Sequence, residues 1–368
     1  MKKVFAFNLP KNENFHGYYM DSLDPYQYFK ENSHGDWRDF LNGGLSRWDK
    51  KRNLGFMHEI DTLYRYKDKR YMAYIDDFLD KFNDFDLFIM STYNPIHPEI
   101  INRYLKDKIK ILGFIDDPYS TYTRGIPHLW AFDGAFYISP SYSQTDLFED
   151  SLLKWGSNNN FWLPLSPKTI KLPKIDEEFF NDRKNDLVYV GNYVGYPNGN
   201  KADRLIKLKK HFGERFKLHG RWPLNGYIGT ARGLFGKPFF YNRITGVSQE
   251  EREKLYFNTK IGLNMHVSPT PTETGNMRMY ETPLHGMMQI CDKAGADAHE
   301  SIYTPDTECI YYNTTDEAID LIEYYLTNDD KRIEIAKAGL ERTLKDYNWE
   351  NNWKQLLDWA WSLKNESR

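Results

Sequence analysis

From residue 86 to residue 165 the sequence keeps repeating one alternation, and that alternation restricts the fold more than anything else in it. Short apolar runs, "DLFIMS", "IKILGFID", "FDGAFYIS" and "NNFWLPL", are separated by a polar loop or by the helix-like stretches "HPEIINRYLKD" and "YSQTDLFEDSLLKWG". Strands that alternate with helices imply right-handed crossovers and a parallel sheet. "KKVFAFNLP", a β-rich run that stops at Asn-Leu-Pro, opens the same sheet. Residues 18 to 82 mix polar and aromatic residues with helix-compatible spacing, as in "DSLDPYQYFKEN" and "YMAYIDDFLDKFNDF". They are read as helices, interrupted by a loop around Gly43 and Gly44.

The pattern then starts again. "DLVYVGN", "RFKLHG", "KIGLNMH", "MMQICD" and "CIYYN" read as strands, with helices at "NKADRLIKLKKHFG", "SQEEREKLYFNT", "TDEAIDLIEYYLTN" and "DKRIEIAKAGLERTLKD". Between the two series, "SPKTIKLPKIDEEFFNDRKN" carries two prolines and many charges and suits a connection. A chain of 368 residues is also long for one core and right for two. The expected organisation is α/β, with two Rossmann-like doubly wound domains, 1–175 and 176–347, facing a central cleft. A C-terminal amphipathic helix, 348–368, follows. Trp349, Trp353, Leu356, Leu357, Ala360, Trp361 and Leu363 share one face of that helix, and its tryptophans are read as packing against the body. Ligands of such sheets sit beyond the carboxyl ends of the strands.

Composition narrows the function classes. Charged residues are 27% and hydrophobic residues 40% of the chain, which describes a folded protein, and the net charge of -3 argues against a general nucleic-acid surface. No apolar run reaches the roughly 18 to 20 residues of a membrane span, and the start is too short in apolar residues for a signal peptide, so a cytoplasmic location is expected. Cys291 and Cys309 form no CxxC pair, so neither a zinc site nor a disulfide framework is supported. The signatures of P-loop hydrolysis, dinucleotide redox chemistry, zinc proteolysis and the esterase elbow are missing.

"TETGNMRMYETPLHG" holds Glu273 and Glu281 eight positions apart. In an unbroken helix they would be turned about 80° from each other and about 12 Å apart along the axis, too far to act on one atom. Gly275 and Asn276 favour a turn, so the helix starts near Asn276 and runs through Arg278 to Glu281. Its free N–H groups and Arg278 then offer an anion site. The alternative is that Asn276 caps, Arg278 pairs with Glu281 at i+3, and nothing binds.

Context bears on that choice. "LVYVGN", "LHGRWP", "KLYFNTKIGLNMH", "NMRMYETPLHGMMQICD" and "AKAGLERTLKDYNWENNWKQLL" occur in this order, and the order resembles the C-terminal half of CgeB-like (spore maturation protein type) glycosyltransferases. These are similar to the wider group-1 glycosyltransferases of GT-B fold. The resemblance covers about residues 185 to 360 and reaches the N-terminal half thinly, through "DLFIMSTYNPIHPE" and "ILGFIDDPYS".

It implies transfer of a sugar from a nucleotide-diphosphate donor, UDP- or GDP-type, to a hydroxyl of a glycan, glycolipid or protein, with no metal and no cofactor. By the resemblance Glu281 holds the ribose and Glu273 faces the sugar in an E-x7-E arrangement, which implies retention of configuration. Thr-Gly-Asn-Met after Glu273 departs from the usual aromatic-glycine start.

The remaining candidates follow from position. Gly191 and Asn192 end a strand where a backbone can approach a phosphate, or simply turn. Arg221, before Trp222, can reach the nucleotide or lie exposed. Asn264 and His266 end another strand at the ligand edge, where a histidine is either a hydrogen-bonding group or structural. Asp116 and Asp117 follow "KILGFI", where Asp117 can act as a base, making the reaction inverting, or cap a turn. His97 and His16 are acid–base candidates or, alternatively, a cap and a surface residue. Two other functions compete: a glycosyltransferase acting on modified DNA bases, and a non-catalytic nucleotide-sugar binder of the same fold.

Overall fold

The computed structural model describes residues 2–7, 12–23, 56–81, 84–92, 96–115, 121, 125–143, 145–167, 170–192, 201–220, 246–266, 275–295 and 298–366. The chain divides into two compact units. One comprises Met1–Ile138, Phe148–Leu163 and Trp353–Arg368, and the other Ser139–Leu147 and Pro164–Asn352. Among the described residues no helix is long and apolar enough to cross a membrane.

In the first unit the strands are β1 (Lys2–Phe7), β2 (Asn12–Phe15), β3 (Tyr18–Leu23), β4 (Leu87–Ser91), β5 (Ile109–Phe114), β6 (Gly134–Tyr137) and β7 (Asn160–Trp162). Helices α1 (Phe56–Arg65), α2 (Lys69–Lys81), α3 (Pro98–Tyr104) and α4 (Phe148–Lys154) accompany them, with a 3₁₀ turn at Ile126–Ala131. The sheet order is β2-β3-β1-β4-β5-β6-β7, and every neighbouring pair is parallel except β2–β3. Every residue of β4 and β5 is buried, as expected of strands covered on both faces.

One expectation fails here. Residues 18–23 are a strand rather than the start of a helical region. His16 (φ 49°) and Gly17 (φ 89°) form the two-residue turn of a hairpin with β2, the left-handed geometry that matches strand twist. His16 is exposed in that turn.

The second unit contains α5 (Glu177–Asn181), β8 (Asn185–Val190), α6 (Lys201–Phe212), β9 (Phe216–His219), α7 (Gln249–Phe257), β10 (Thr259–Asn264), α8 (Met277–Leu284), β11 (Met288–Asp292), α9 (His299–Ile302), β12 (Ile310–Tyr312), α10 (Thr315–Thr327) and α11 (Asp329–Asp346). Its sheet is wholly parallel in the order β12-β11-β10-β8-β9. The chain moves outward from β8 to β9, then returns to the other side of β8 to lay down β10. The order therefore reverses between β8 and β10, and a crevice at their carboxyl ends is where ligands of open α/β sheets bind. Helices start where the sequence signals it: Ser248 with Glu251 and Thr314 with Glu317 form reciprocal capping boxes.

The expected connection at 166–185 is more ordered than its prolines and charges suggest. Asp176 caps α5 by accepting from Phe179 N, and Arg183, only 4% exposed, donates to the carbonyls of Phe179, Tyr256, Thr259 and His285. One guanidinium thereby ties the ends of α5, α7 and α8 together. Burial, joined by the nearby Arg332, pulls its pKa down to about 9.

A last helix, α12 (Trp349–Glu366), belongs to the first unit from Trp353 onward. Trp353 meets Phe136 edge-on at 5.9 Å, Trp359 lies against Phe161 at 5.3 Å, and Trp361 meets Tyr18 at 6.3 Å. Asp358 accepts from the Tyr18 hydroxyl at 2.9 Å. Trp353 and Trp361 pack, half-buried, against the first unit, as their helical spacing predicts, and Trp359, outside the predicted face, packs there too.

Helix α8 lies so close on β10 that a Cβ on Gly262 would stand 2.2 Å from Thr282 Cγ2. Gly262→Ala should destabilise the protein by about 1–3 kcal/mol through overpacking, measured by urea unfolding. Adding Thr282→Ser, which removes Cγ2, should recover part of that loss.

Candidate functional site

The reversal point between β8 and β10 is occupied by one side chain. Asn276 caps α8, its Oδ1 accepting from Met279 N at 3.3 Å, and this sets Arg278 in the first turn facing the strand ends. Arg278 Nε donates to Val190 O at 3.0 Å and Nη1 donates to Asn264 Oδ1 at 3.2 Å. The guanidinium carbon sits 4.2 Å from the centre of the Tyr189 ring. Arg278 therefore bridges the end of β8 to the end of β10, and the expected i+3 pairing with Glu281 does not form. Glu281 pairs instead with Arg252 Nη2 of α7 at 3.4 Å.

Gly191 is needed here for room. A Cβ at that position would lie 2.6 Å from the Tyr189 hydroxyl and 2.7 Å from Arg278 Nη2. The bare Cα thus lets the guanidinium close over the strand end. Asn192 follows it and is exposed.

A second cation, unforeseen in the sequence, joins this cluster. Lys201 opens α6, is only 6% exposed, and holds its ammonium 5.5 Å from the Tyr189 ring centre. Among the described residues neither Lys201 nor Arg278 forms an ion pair. A buried cation without a carboxylate is costly, and its place at the positive end of a helix dipole adds to that cost. An anion bound against Lys201, Arg278 and the start of α6 would relieve both. The signal was present in "GNKADRLI", but Lys201 is one of several lysines in a helix that reads as solvated.

The third cluster lies at the junction of β10 and β11. His266 Nδ1 is 2.7 Å from Asp292 Oδ1, and the His266 backbone N–H donates to both Asp292 oxygens at 3.0 Å. Arg204 of α6 donates to Asp292 Oδ2 at 3.0 Å and to the His266 carbonyl at 3.1 Å. Burial pushes the Asp292 carboxyl up, but His266 and Arg204 outweigh it and hold the group below the usual range. His266, Cys291 and Asp292 bring ligand atoms within 4.8 Å of one another. Their chemistry fits hydrogen bonding better than metal ligation: the His–Asp separation is that of a direct hydrogen bond, and burial pushes the Cys291 thiol far above its ordinary pKa, which keeps it protonated. Asn264 Nδ2 donates to Cys291 Sγ at 3.3 Å, so Asn264 links this cluster to Arg278.

Glu281 is half-buried. Burial pushes its carboxyl above the usual glutamate range, only partly countered by Arg252 and Arg278. Gly191 and Asn264 thus meet at Arg278, whose helix Asn276 caps. His97 belongs elsewhere. It caps α3 in the first unit, Nδ1 accepting from Glu99 N at 3.2 Å and Nε2 facing Asp61 Oδ1 at 3.3 Å, stacked on Tyr64. Both of its ring nitrogens are engaged, and the cap named as the alternative forms. Glu273, Asp116, Asp117, Arg221 and Trp222 lie outside the described residues.

Residues 202–358 match a family model described as glycosyl transferase-like. No curated protein matches the sequence. Among solved structures, sucrose-phosphate synthase from Thermosynechococcus elongatus aligns at 13% identity and a TM-score of 0.57, over 83% of this chain and 79% of that one. Anabaena HepE, solved with UDP and glucose, aligns at 8% identity and 0.58, over 98% and 100%. A mutant of S. aureus TarM, in complex with fondaparinux, alpha-GlcNAc-glycerol and UDP, aligns at 14% identity and 0.54 over 78% of this chain, but spans only 58% of that one. At these identities the likeness shows the fold, two parallel-sheet Rossmann-like domains of GT-B type. With that fold, this chain also shares with the glycosyl transferase-like family the stretch 202–358, which covers most of its second unit.

Proposed function

We propose that the protein takes a sugar from a nucleotide-diphosphate donor bound at the carboxyl ends of β8 and β10 and passes it to an acceptor hydroxyl. The observation that carries this reading is the pair of cations, buried Lys201 and half-buried Arg278, on one tyrosine ring at the point where the strand order reverses. Support also comes from HepE, solved with UDP-glucose, and from TarM, solved with UDP. The donor is read as UDP- or GDP-type. The CgeB-like resemblance agrees with a cytoplasmic enzyme whose acceptor is a glycan, glycolipid or protein.

In this reading Lys201, Arg278 and the first amides of α8 hold the diphosphate. As the glycosidic bond breaks, negative charge builds on that leaving group. Cations fixed beforehand stabilise it without reorganising, and they supply the charge a metal would otherwise bring. Glu281 accepts from the ribose hydroxyls. Gly191 and Asn192 lie along the backbone, and Asn264 keeps Arg278 aimed. Arg221 is assigned to the nucleotide by its position after a strand and Glu273 to the sugar by resemblance, and with Glu273 comes retention of configuration. Asp117 as base would give inversion instead.

Thermal stabilisation by UDP-, GDP-, ADP-, CMP- and dTDP-sugars tests the whole reading, with a shift expected for UDP- or GDP-sugars. A protein whose melting temperature moves with none of them does not carry this function. Lys201→Ala should weaken donor binding roughly tenfold, the loss of about one charge-assisted contact, whereas exposed Lys254→Ala leaves it unchanged. Arg278→Lys should cost as much, because an ammonium cannot span Val190 O and Asn264 Oδ1 as the planar fork does.

Glu281 gives a pH signature. Its folded pKa is raised, so as pH falls through that value, above 4.5, the carboxylate takes a proton and accepts the ribose less well. Titration calorimetry with UDP-glucose, or GDP-mannose if the protein takes GDP-sugars, should show affinity dropping in this window. Glu281→Gln should bind weakly at every pH, with a flat profile. Stability of the free protein moves the other way, since protonation relieves a buried charge.

A further inference from the structure

The hydrogen bonding of His266 leaves one atom unexplained. The residue is 1% exposed, and its Nδ1 is bound to Asp292, yet its Nε2 is buried with no hydrogen-bond partner among the described residues. An orphaned buried nitrogen costs roughly 1–3 kcal/mol. The groups around it are fixed: Asp292 holds Nδ1 and the backbone N–H, and Arg204 holds both Asp292 and the His266 carbonyl.

Three placements narrow what Nε2 is for. His266 stands two residues beyond Asn264, at the carboxyl end of β10. Helices α6 and α7 cover opposite faces of the sheet: Leu187 and Tyr189 of β8 pack with Leu205 and Leu208 of α6, whereas Val188 packs with Tyr256 of α7. Glu281 is paired with Arg252 of α7, and His266 is coupled through Asp292 to Arg204 of α6. The cations Lys201 and Arg278 sit on Tyr189, where these two groups converge. A nucleotide sugar has the same order, ribose, then diphosphate, then sugar.

We infer that His266 is a specificity-determining residue whose Nε2 accepts a hydrogen bond from a hydroxyl of the transferred sugar, with Asp292 as the positioning residue that fixes the tautomer. The inference rests on the nucleotide-sugar reading of the same site. With the ring proton held on Nδ1 by Asp292, Nε2 of the neutral imidazole presents a lone pair. A phosphate has no proton to give it at neutral pH, and a sugar hydroxyl has. A site built around such a contact discriminates against analogues that lack the hydroxyl.

The test compares a nucleotide diphosphate with its sugar conjugate, UDP with UDP-glucose or GDP with GDP-mannose, by calorimetry on the full chain. His266→Asn keeps an amide N–H for Asp292 in place of Nδ1 and deletes Nε2. We expect affinity for the sugar conjugate to fall about tenfold while that for the free diphosphate is unchanged. One deoxy-sugar donor should bind wild type as weakly as the intact donor binds the variant, and the variant should not distinguish the two, which is coupling in a double-mutant-cycle sense. Equal loss for diphosphate and conjugate, or no loss for either, overturns the proposal. If the variant does not fold, the deoxy series on wild type decides: a series in which every analogue binds as well as the intact donor overturns it. Wild type that binds neither diphosphate nor conjugate overturns the nucleotide-sugar reading itself, and His266 falls with it.

Discussion

The contact between α8 and β10 governs most of what the second unit can do. Because Gly262 has no side chain, Thr282 can lie against the strand, and the helix axis is fixed by that close approach. Once the axis is set, Asn276, Arg278 and Glu281 have no freedom in where they point. Arg278 must cross the strand ends, and Glu281 must turn to α7. The chemistry of the site is therefore decided one full turn away from it, by a residue with nothing to offer a ligand.

Two arginines show how protein and ligand divide a charge. Arg183 is met by four backbone carbonyls and needs nothing further, so it works as a clasp for helix ends. Half-buried Arg278 spends Nε and Nη1 on Val190 and Asn264 and shares the Tyr189 ring with Lys201, with no carboxylate paired to either among the described residues. Hydrogen bonding orients it without neutralising it. That difference separates a structural cation from one poised for an anion, although the two have the same side chain.

Much of this was legible in the sequence, for reasons that can be named. Parallel strands covered on both faces leave uninterrupted apolar runs, so β4, β5, β8, β10 and β11 stood out, and the helices between them followed from their spacing and caps. The hairpin of β2 and β3 was hidden because "YYMDSL" is short and partly polar, and its turn rests on His16 in a left-handed conformation rather than on Asn-Gly. Helix α5 was hidden by the prolines before it. In the site, Asn276, Arg278 and Gly191 were readable because turn chemistry and strand ends mark them. Lys201, Arg204, Arg252 and Asp292 were not, since their partners lie between 12 residues (Lys201 to Tyr189) and 88 residues (Arg204 to Asp292) away, beyond the reach of any turn or helix spacing. The i+3 spacing of Arg278 and Glu281 was a true local signal that tertiary partners overrode.

The C-terminal helix has an implication for biosynthesis. Tyr18, Phe136 and Phe161 belong to the first unit, but the aromatic rings packed against them, Trp361, Trp353 and Trp359, come from α12, which follows the whole second unit. On a ribosome the first sheet emerges early and waits, one apolar surface bare, while the second unit is made. Completing the first unit thus depends on synthesis having passed through the second. Chains interrupted before α12 would be exposed to aggregation even with their second unit already folded.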